Sequence, residues 1–396
     1  MFLRRYLSLL NAFLYERRSP GEIDDLAEPN EQHPEWRRIT PFLAIWDDYA
    51  GRVLGFSFDD EQVEKLARAL LRIYQNCPDI TAKPELLAHD EEASTLGGLR
   101  PKEFALIRLM HALQDFSELQ ADINAQFVGA VRAAFGGRIP DETQLSNEES
   151  ARRLLSTFGG ADRNVQERLR YIFSSARMLS QLHPGGAYGL AEEANGDVHA
   201  IFNTLITFPG LKRKKANMLL RDYYELGVWS YRQNLDALNI IPDNRVMRVA
   251  LRTGIIHPAL GKLLNSLLDE FDFQYVLATT ATEEGFRRVW ERTKDINSGI
   301  HIVPYPAKFD ELIFKLGDGR SGCCKPNSLA CQRGKVPPGF CAWMKDTLGF
   351  RMTEPCPFQG VCKDADKSIQ APFAIQNRTW MKIFTGKGGG GGLRGV

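Results

Sequence analysis

Amphipathic helical segments follow one another along most of this 396-residue chain, and several of them end at glycine or proline. In residues 61–74, apolar side chains recur every three or four positions, which places them on one helix face. Similar patterns occur at 102–113, 125–135, 165–182, 198–208, 214–226 and 245–252. Only two short segments, 275–279 and 301–303, resemble strands. The sequence therefore predicts an all-α fold of many short helices.

Composition and charge exclude several classes of protein. Hydrophobic residues make up 43% of the chain and charged residues 25%, as in an ordinary globular protein. No apolar run approaches the roughly 18 residues that a membrane helix needs. The basic start of the chain soon turns polar at Asn11, so we expect an amphipathic helix there, no export signal, and a cytoplasmic protein. Because the net charge is only +1, any nucleic-acid site must come from local clustering.

The strongest local cluster of positive charge lies where a tight turn meets a predicted helix. Pro209 and Gly210 favour a β-turn, and the helix that follows points its free N–H groups outward. The helix dipole attracts anions to the same end. Four basic residues at this junction complete a compact site for a phosphate: Lys212, Arg213, Lys214 and Lys215.

A single carboxylate stands at the start of another predicted helix further along the chain. Asp243 follows Pro242 and precedes the helical pattern at 245–252, where it can act as the N-cap. Capping alone explains an aspartate there, just as phosphate binding alone explains Lys214. The two residues occur together, in this order, with a cysteine cluster downstream.

These segments resemble the helix-hairpin-helix DNA glycosylase superfamily, in particular its endonuclease III-like branch. Residues 209–217 are similar to that family's Pro-Gly-hydrophobic-Gly-x-Lys-x-Ala pattern, whose lysine corresponds to Lys214. Residues 242–249 resemble the segment of the catalytic aspartate, which corresponds to Asp243. In outline the resemblance covers about residues 102–363.

The resemblance implies a two-lobed helix-hairpin-helix fold and a DNA base-excision enzyme with AP-lyase activity. Asp243 would stabilise positive charge at C1′ as the base leaves, and the Lys214 amine would then form a Schiff base. The implied partner is double-stranded DNA with one flipped base, bound by a nucleoid-associated monomer. The implied DNA contacts are Pro209, Gly210, Leu211, Lys212, Arg213, Lys215, Arg245 and a glutamine that fills the gap in the base stack, either Gln120 or, as the alternative, Gln114.

Two features depart from the family pattern. Lys212 replaces the second hairpin glycine, at a position that often favours a positive φ. The stretch of chain between the two candidate catalytic residues, Lys214 and Asp243, is also longer than is usual for the family. The additional segment, 229–240, would either line the pocket or lengthen a surface loop.

Six of the seven cysteines lie between positions 323 and 362, and such clustering is typical of a metal site in a chain without an export signal. The family's [4Fe–4S] site has the spacing Cys-x6-Cys-x2-Cys-x5-Cys. The first and last spacings occur here, but the middle interval is much longer than the family's. Zinc is the alternative metal. The implied ligands are Cys324, Cys331, Cys356 and Cys362, with Cys323 and Cys341 as alternatives for the first two.

The predicted organisation has five parts. Residues 1–95 form a helical extension partly packed on the second lobe, and residues 96–240 form a helical lobe with the hairpin at about 198–226. A second lobe at 241–320 carries Asp243, followed by the cysteine module at 321–365 and a tail at 366–396. Two other functions stay open: a glycosylase that uses Asp243 and water without lyase activity, and a non-catalytic helix-hairpin-helix DNA-binding protein.

Overall fold

Helices dominate the part of the chain that the computed structural model describes, which is residues 56–76, 98–114, 123, 125–158, 165–258, 272–299, 303–317, 322–325, 328–329 and 356–362. None of these helices is long and apolar enough to cross a membrane. The helices are α1 (Asp60–Asn76), α2 (Pro101–Leu113), α3 (Ala125–Ala134), α4 (Glu142–Leu145), α5 (Glu148–Thr157), α6 (Val165–Leu182), α7 (Gly186–Glu193), α8 (Val198–Leu205), α9 (Arg213–Glu225), α10 (Asn244–Thr253), α11 (Asp272–Ile296) and α12 (Asp310–Gly317). The short strands are β1 (Phe56–Phe58), β2 (Ile256–Pro258), β3 (Cys324–Lys325) and β4 (Ser328–Leu329), and 3-10 turns span Leu235–Ala237 and Pro306–Phe309.

The strand predicted at 275–279 is wrong, because these residues lie inside α11. Their β-branched and aromatic side chains favour a strand locally, but α11 packs along α1 and α10, and such packing overrides local propensity. Of the second predicted strand, 301–302 fall outside the described residues and Val303 lies in a bend. The strands found instead pair antiparallel, β1 with β2 and β3 with β4.

The chain divides into two compact units, and each is assembled from separate segments. We call Pro78–Ile241 with Val303–Leu312 the hairpin unit. We call the other compact unit the cysteine unit, which consists of Met1–Cys77, Pro242–Ile302 and Ile313–Val396. Lys214 therefore belongs to the hairpin unit, and Asp243 belongs to the cysteine unit.

Helix α2 is the centre of the hairpin unit. All ten residues from 104 to 113 are buried, because α6, α7 and α9 pack around this helix. A helix that is buried on every side needs other elements to cover all of its faces. Its neighbours therefore hold α9, which carries the basic cluster, against the core.

Four charged side chains form a network within this unit. Arg108 donates from Nε and Nη2 to Asp222 Oδ2 at 3.1 and 2.7 Å. Arg221 donates to the other Asp222 oxygen and also pairs with Asp310. Asp310 in turn accepts the Ile241 N–H at 3.1 Å. The network ties α2 and α9 to the end of 78–241 and to the returning segment 303–312.

The two ends of the segment 229–240 pack inside the hairpin unit, whereas residues 232–234 between them are exposed. Trp229 is buried with its ring centroid 4.2 Å from that of Tyr223, and Leu238 and Ile240 are buried as well. The Leu238 carbonyl accepts the Ala307 N–H at 2.9 Å. This part of the insertion thus supports α9 from within the unit.

In the cysteine unit, α1 and α10 pack against the long helix α11. The β1–β2 ladder lies beside them, with Phe56 opposite Pro258. Gly285 lets α11 approach this ladder closely, since a Cβ atom there would lie 2.9 Å from Ile256 Cγ2. The buried apolar residues of this unit include Leu66, Leu70, Val246, Ala250, Ile256, Phe286 and Val289.

Candidate functional site

The predicted Pro-Gly turn is present and joins α8 to α9. The Leu211 N–H donates to the Phe208 carbonyl at 3.0 Å, which closes a β-turn with Pro209 and Gly210 in the middle. Gly210 has φ +84°, a left-handed conformation that glycine adopts without steric cost. Proline followed by a residue with positive φ is typical of a type II turn.

Tyr171 of α6 supports this turn from beneath. A Cβ atom at Gly210 would lie 2.7 Å from the ring carbon Cδ2 of Tyr171, so the backbone approaches the ring closely. The Tyr171 hydroxyl donates to Glu167 one helical turn earlier. Burial, together with the Glu167 carboxylate, raises the pKa of Tyr171, which keeps the hydroxyl neutral. The turn therefore requires glycine for two reasons, its φ and the aromatic ring below it.

Lys212 fits its position without strain. It is the N-cap of α9 with φ −109° and ψ 173°, an extended conformation open to any residue. The backbone at this position therefore does not require glycine. The Lys212 side chain makes no capping hydrogen bond to this helix start, and helix starts of this kind can bind anions.

The other basic residues of the cluster have different surroundings. Arg213 is exposed, with its guanidinium carbon 5.5 Å from the centroid of the Phe202 ring. Lys215 Nζ lies 3.5 Å from the Leu113 carbonyl oxygen at the end of α2, a favourable place for a cation. Lys214 is half-buried, and its amino group has no hydrogen bond or ion pair among the described residues. Within this cluster Lys214 is thus open to a chemical role.

Asp243 caps α10. Its Oδ1 atom accepts the N–H groups of Arg245 and Val246 at 2.8 and 3.0 Å, while Oδ2 has no donor within the described part of the chain. The carboxylate is half-buried, and the cap fixes its orientation. One oxygen is thereby used for structure, and the other is available to interact with positive charge.

Arg245, predicted to contact DNA, packs on an aromatic ring. Its guanidinium carbon lies 4.1 Å from the centroid of the Phe314 ring, a cation–π contact. Gly317 allows the close approach of α12, because a Cβ atom there would lie 2.5 Å from the Arg245 carbonyl oxygen. Arg248 donates to the Gly317 carbonyl at 2.7 Å. The start of α10, including Asp243, is therefore held firmly.

Two of the implied cysteine ligands, from segments well separated in the sequence, come within electrostatic range of each other. Burial raises the pKa of the Cys324 thiol, Arg252 opposes this rise, and Cys356 adds to it. Arg252 Nη1 lies 3.1 Å from Cys324 Sγ, and the Phe358 N–H donates to Cys356 Sγ at 3.4 Å. Cys362 ends the same turn, and Cys323 is buried beside Cys324. Cys331 and Cys341 lie outside the described residues.

The chemistry of these donors fits a thiolate-ligated metal. A thiolate at Cys324 would place negative charge beside the buried guanidinium of Arg252, and N–H donors to sulfur accompany metal-bound thiolates. The described residues by themselves include no group of three or more histidine, cysteine or acidic side chains arranged to hold a metal ion. Cys324, Cys356 and Cys362 are all described, so the structure does not bring three of the implied ligands together.

The two glutamines considered for the gap in the base stack differ in what the structure shows. Gln120 lies outside the described residues. Gln114 is buried at 3% exposure, and its Oε1 accepts from Arg168 Nε at 2.9 Å. A buried glutamine cannot enter a base stack, so Gln120 remains the candidate.

Sequence reasoning did not single out Tyr171 or Arg252. Tyr171 is distant in sequence from the turn that it supports, and no local pattern joins the two. Arg252 follows Arg245 by seven residues on α10, so heptad spacing could have placed both on one face. This seven-residue spacing is the sequence signal that could have identified Arg252 as a neighbour of Arg245 on the same helix face.

Comparison of the chain with protein-family models and with curated proteins gives no match.

Proposed function

We propose that this protein is a DNA base-excision glycosylase with AP-lyase activity, acting on double-stranded DNA with a flipped damaged or modified base. The Pro209–Gly210 turn supports this most directly, because it leads into the uncapped start of α9 with Lys214 in its first turn. Backbone N–H groups at a helix start bind phosphate. Exposed Lys212 and Arg213 add charge to the same end.

In the proposed reaction the C1′–N bond breaks and the base departs with the bonding electrons, taking a proton from water. The carboxylate of Asp243 stabilises the positive charge that develops at C1′. The neutral Lys214 amine attacks C1′, loses a proton and, after the sugar ring opens, forms an iminium ion. Loss of a proton from C2′ then expels the 3′ phosphate, which cuts the strand and gives the lyase product.

The same proposal includes a metal centre in the cysteine unit. Its ligands would be Cys324, Cys331, Cys356 and Cys362, with Cys323 or Cys341 as alternatives for the first two. A [4Fe–4S] cluster there would supply a structural cross-link between segments of the cysteine unit. Zinc would supply the same cross-link. Arg252 and the Phe358 N–H would donate to the sulfur atoms of two of these ligands.

Borohydride trapping on abasic DNA tests the role of Lys214. Borohydride reduces the iminium to a stable amine, so the parent protein should form a covalent complex that Lys214→Gln does not form. Lys102→Gln, an exposed lysine of the same unit, is the matched control and should trap like the parent. Equal trapping by Lys214→Gln would remove Lys214 from the mechanism, and base excision without trapping would indicate a glycosylase that uses water.

Asp243→Asn tests the carboxylate without removing the cap. Asparagine can still accept the two N–H groups at the start of α10, so the variant should fold and bind DNA. Excision should fall by about 100-fold or more, because the negative charge near C1′ is lost. Unchanged excision by a folded Asp243→Asn protein would leave Asp243 with a capping role only.

A further inference from the structure

An open groove lies in the cysteine unit, outside the residues assigned above to catalysis. Its volume is about 550 Å³. One wall is the exposed side of α1, and the other is formed by Ile296 at the end of α11 and by residues 359–361 in the turn between Cys356 and Cys362. The polar side chains of the α1 wall are Lys65, Arg68, Arg72 and Gln75. We call this feature the α1 groove.

The basic side chains of the α1 groove can exchange their present ion pairs for contacts with an external anion. No acidic side chain is among its lining residues. Arg68 pairs with Glu64 one turn earlier while its side chain remains 59% exposed, and Lys65 pairs with Glu61 in the same way. Such exposed pairs contribute little energy, so an external anion can replace the glutamates at small cost. Arg72 is exposed and has no ion pair within the described residues.

Contacts within the unit fix both walls of the groove. Glu64 accepts from Arg292 Nε at 3.0 Å, which ties α1 to α11. The amide nitrogen of buried Gln62, oriented to donate, lies 2.7 Å from the Val361 carbonyl oxygen and 3.0 Å from that of Thr253. These contacts tie α1 to the cysteine turn and to the end of α10. The groove is therefore a preformed surface.

The spacing of the cations suits a linear polyanion. Arg68 and Arg72 are four residues apart, so they lie on one face of α1 with about 6 Å between them along the axis. Each guanidinium presents planar donors that match phosphate oxygens. The amides of Gln75 and Gln359 add neutral donors along the same groove. Phosphates joined in a chain would meet these donors in succession.

We infer that the α1 groove binds the sugar–phosphate backbone of a nucleic acid and so gives the cysteine unit a contact of its own with the ligand. The choice of DNA as that nucleic acid rests on the proposed function. The contact itself depends on the groove, and none of its lining residues belongs to the proposed catalytic machinery.

Fluorescence anisotropy with a labelled DNA duplex tests the inference. The duplex carries an abasic-site analogue that cannot be cleaved, and the salt concentration is varied from about 50 to 200 mM. The double variant Arg68→Gln/Arg72→Gln should bind roughly tenfold more weakly, and the slope of log K against log salt should fall by about 2. The measurement uses the full chain with its metal content unchanged.

Arg152→Gln is the matched control. Arg152 forms an exposed pair with Glu148 one turn earlier on α5, at 2.9 Å and with 52% side-chain exposure, and it lies outside the groove. This variant should bind DNA with the parent's affinity and salt slope. An equal loss of binding in Arg152→Gln would show a general effect of surface charge and would overturn the inference.

Three further outcomes separate this inference from the proposed function. A double variant that binds like the parent overturns the groove contact even if excision and trapping are intact. A parent that neither excises nor traps, but whose DNA binding depends on Arg68 and Arg72, refutes the proposed enzyme and supports the groove. Competition by polyglutamate as strong as that by unlabelled duplex would assign the groove to acidic polypeptides and overturn the nucleic-acid assignment.

Discussion

Single residues decide the shape of the hairpin turn. Gly210 combines a left-handed φ with the Tyr171 ring directly below it, whereas Gly227 at the end of α9 has φ +66° with open space around it. The two glycines therefore separate the cost of backbone conformation from the cost of a steric clash.

We expect Gly227→Ala to lower the free energy of unfolding by about 1–2 kcal/mol, the cost of left-handed backbone for alanine. Gly210→Ala should lose a further 1–3 kcal/mol or so, because the new methyl group meets the ring. Thermal unfolding measures both losses. In a Tyr171→Leu background the difference between the two variants should shrink, and an unchanged difference would contradict the role given to the ring.

The Pro-Gly dipeptide alone was enough to predict this turn, because proline and glycine restrict the backbone locally. Two other features of the site were not predictable in that way. The Tyr171 contact joins α6 to the turn through packing, which leaves no mark on neighbouring residues. The conformation of Lys212 depends on how the chain enters α9, and the positive φ that is common at this position in the family pattern does not occur.

Among the helices, those with a clear apolar stripe were found close to their predicted positions. Helix α6 spans Val165–Leu182 as predicted, and α2 begins one residue before its predicted start and ends at the same residue. Helix α11 was not predicted, because 275–279 carries side chains that favour a strand and the deciding contacts come from α1 and α10. Local periodicity therefore identified helices, and distant packing decided the ambiguous segment.

The buried network between α2 and α9 gives a prediction about these helices. Asp222→Asn removes the charge that faces Arg108 and Arg221, so it should lower the free energy of unfolding by about 3–5 kcal/mol. Glu148→Gln breaks an exposed pair on α5 and should cost less than about 0.5 kcal/mol. Chemical denaturation of the two variants checks this, and similar losses in both would contradict a special role for the buried pair.

The division of the whole chain into two units predicts a localised effect of metal. If the clustered cysteines hold a metal, its removal should loosen the cysteine unit around α10 and β3, while α2 and α9 in the hairpin unit keep their protection. Hydrogen exchange of the metal-loaded and chelator-treated protein measures this. A brown protein with about four iron atoms per chain would support [4Fe–4S], and a colourless one with a single zinc would reject it.

Cys77→Ser is the control for that experiment, because Cys77 lies outside the cluster in sequence. It should retain the parent's metal content, whereas Cys356→Ser should lose it. Equal metal content in the parent and Cys356→Ser would exclude Cys356 as a ligand. Loosening spread evenly over both units would contradict a metal site confined to the cysteine unit.

The sequence carried little information about how segments combine into units. Residues 303–312 were assigned with 241–320, yet Tyr305 and Ala307 are buried in the core of the hairpin unit. Their neighbours in that core, such as Leu238, come from a much earlier part of the chain. The packing of 303–312 against a much earlier part of the chain is visible only in the folded structure.

The interleaved arrangement of the two units has a consequence for synthesis on the ribosome. The hairpin unit has all of its residues once position 312 has emerged, whereas the cysteine unit still waits for the turn at 356–362. At about 5–20 residues per second, the ~50 residues from position 312 to position 362 take roughly 3–10 s. During this interval α1, made early, has α10 and α11 but lacks the turn that Gln62 holds. Among the described segments, the cysteine turn is thus the last to be made, after the hairpin unit has had time to fold.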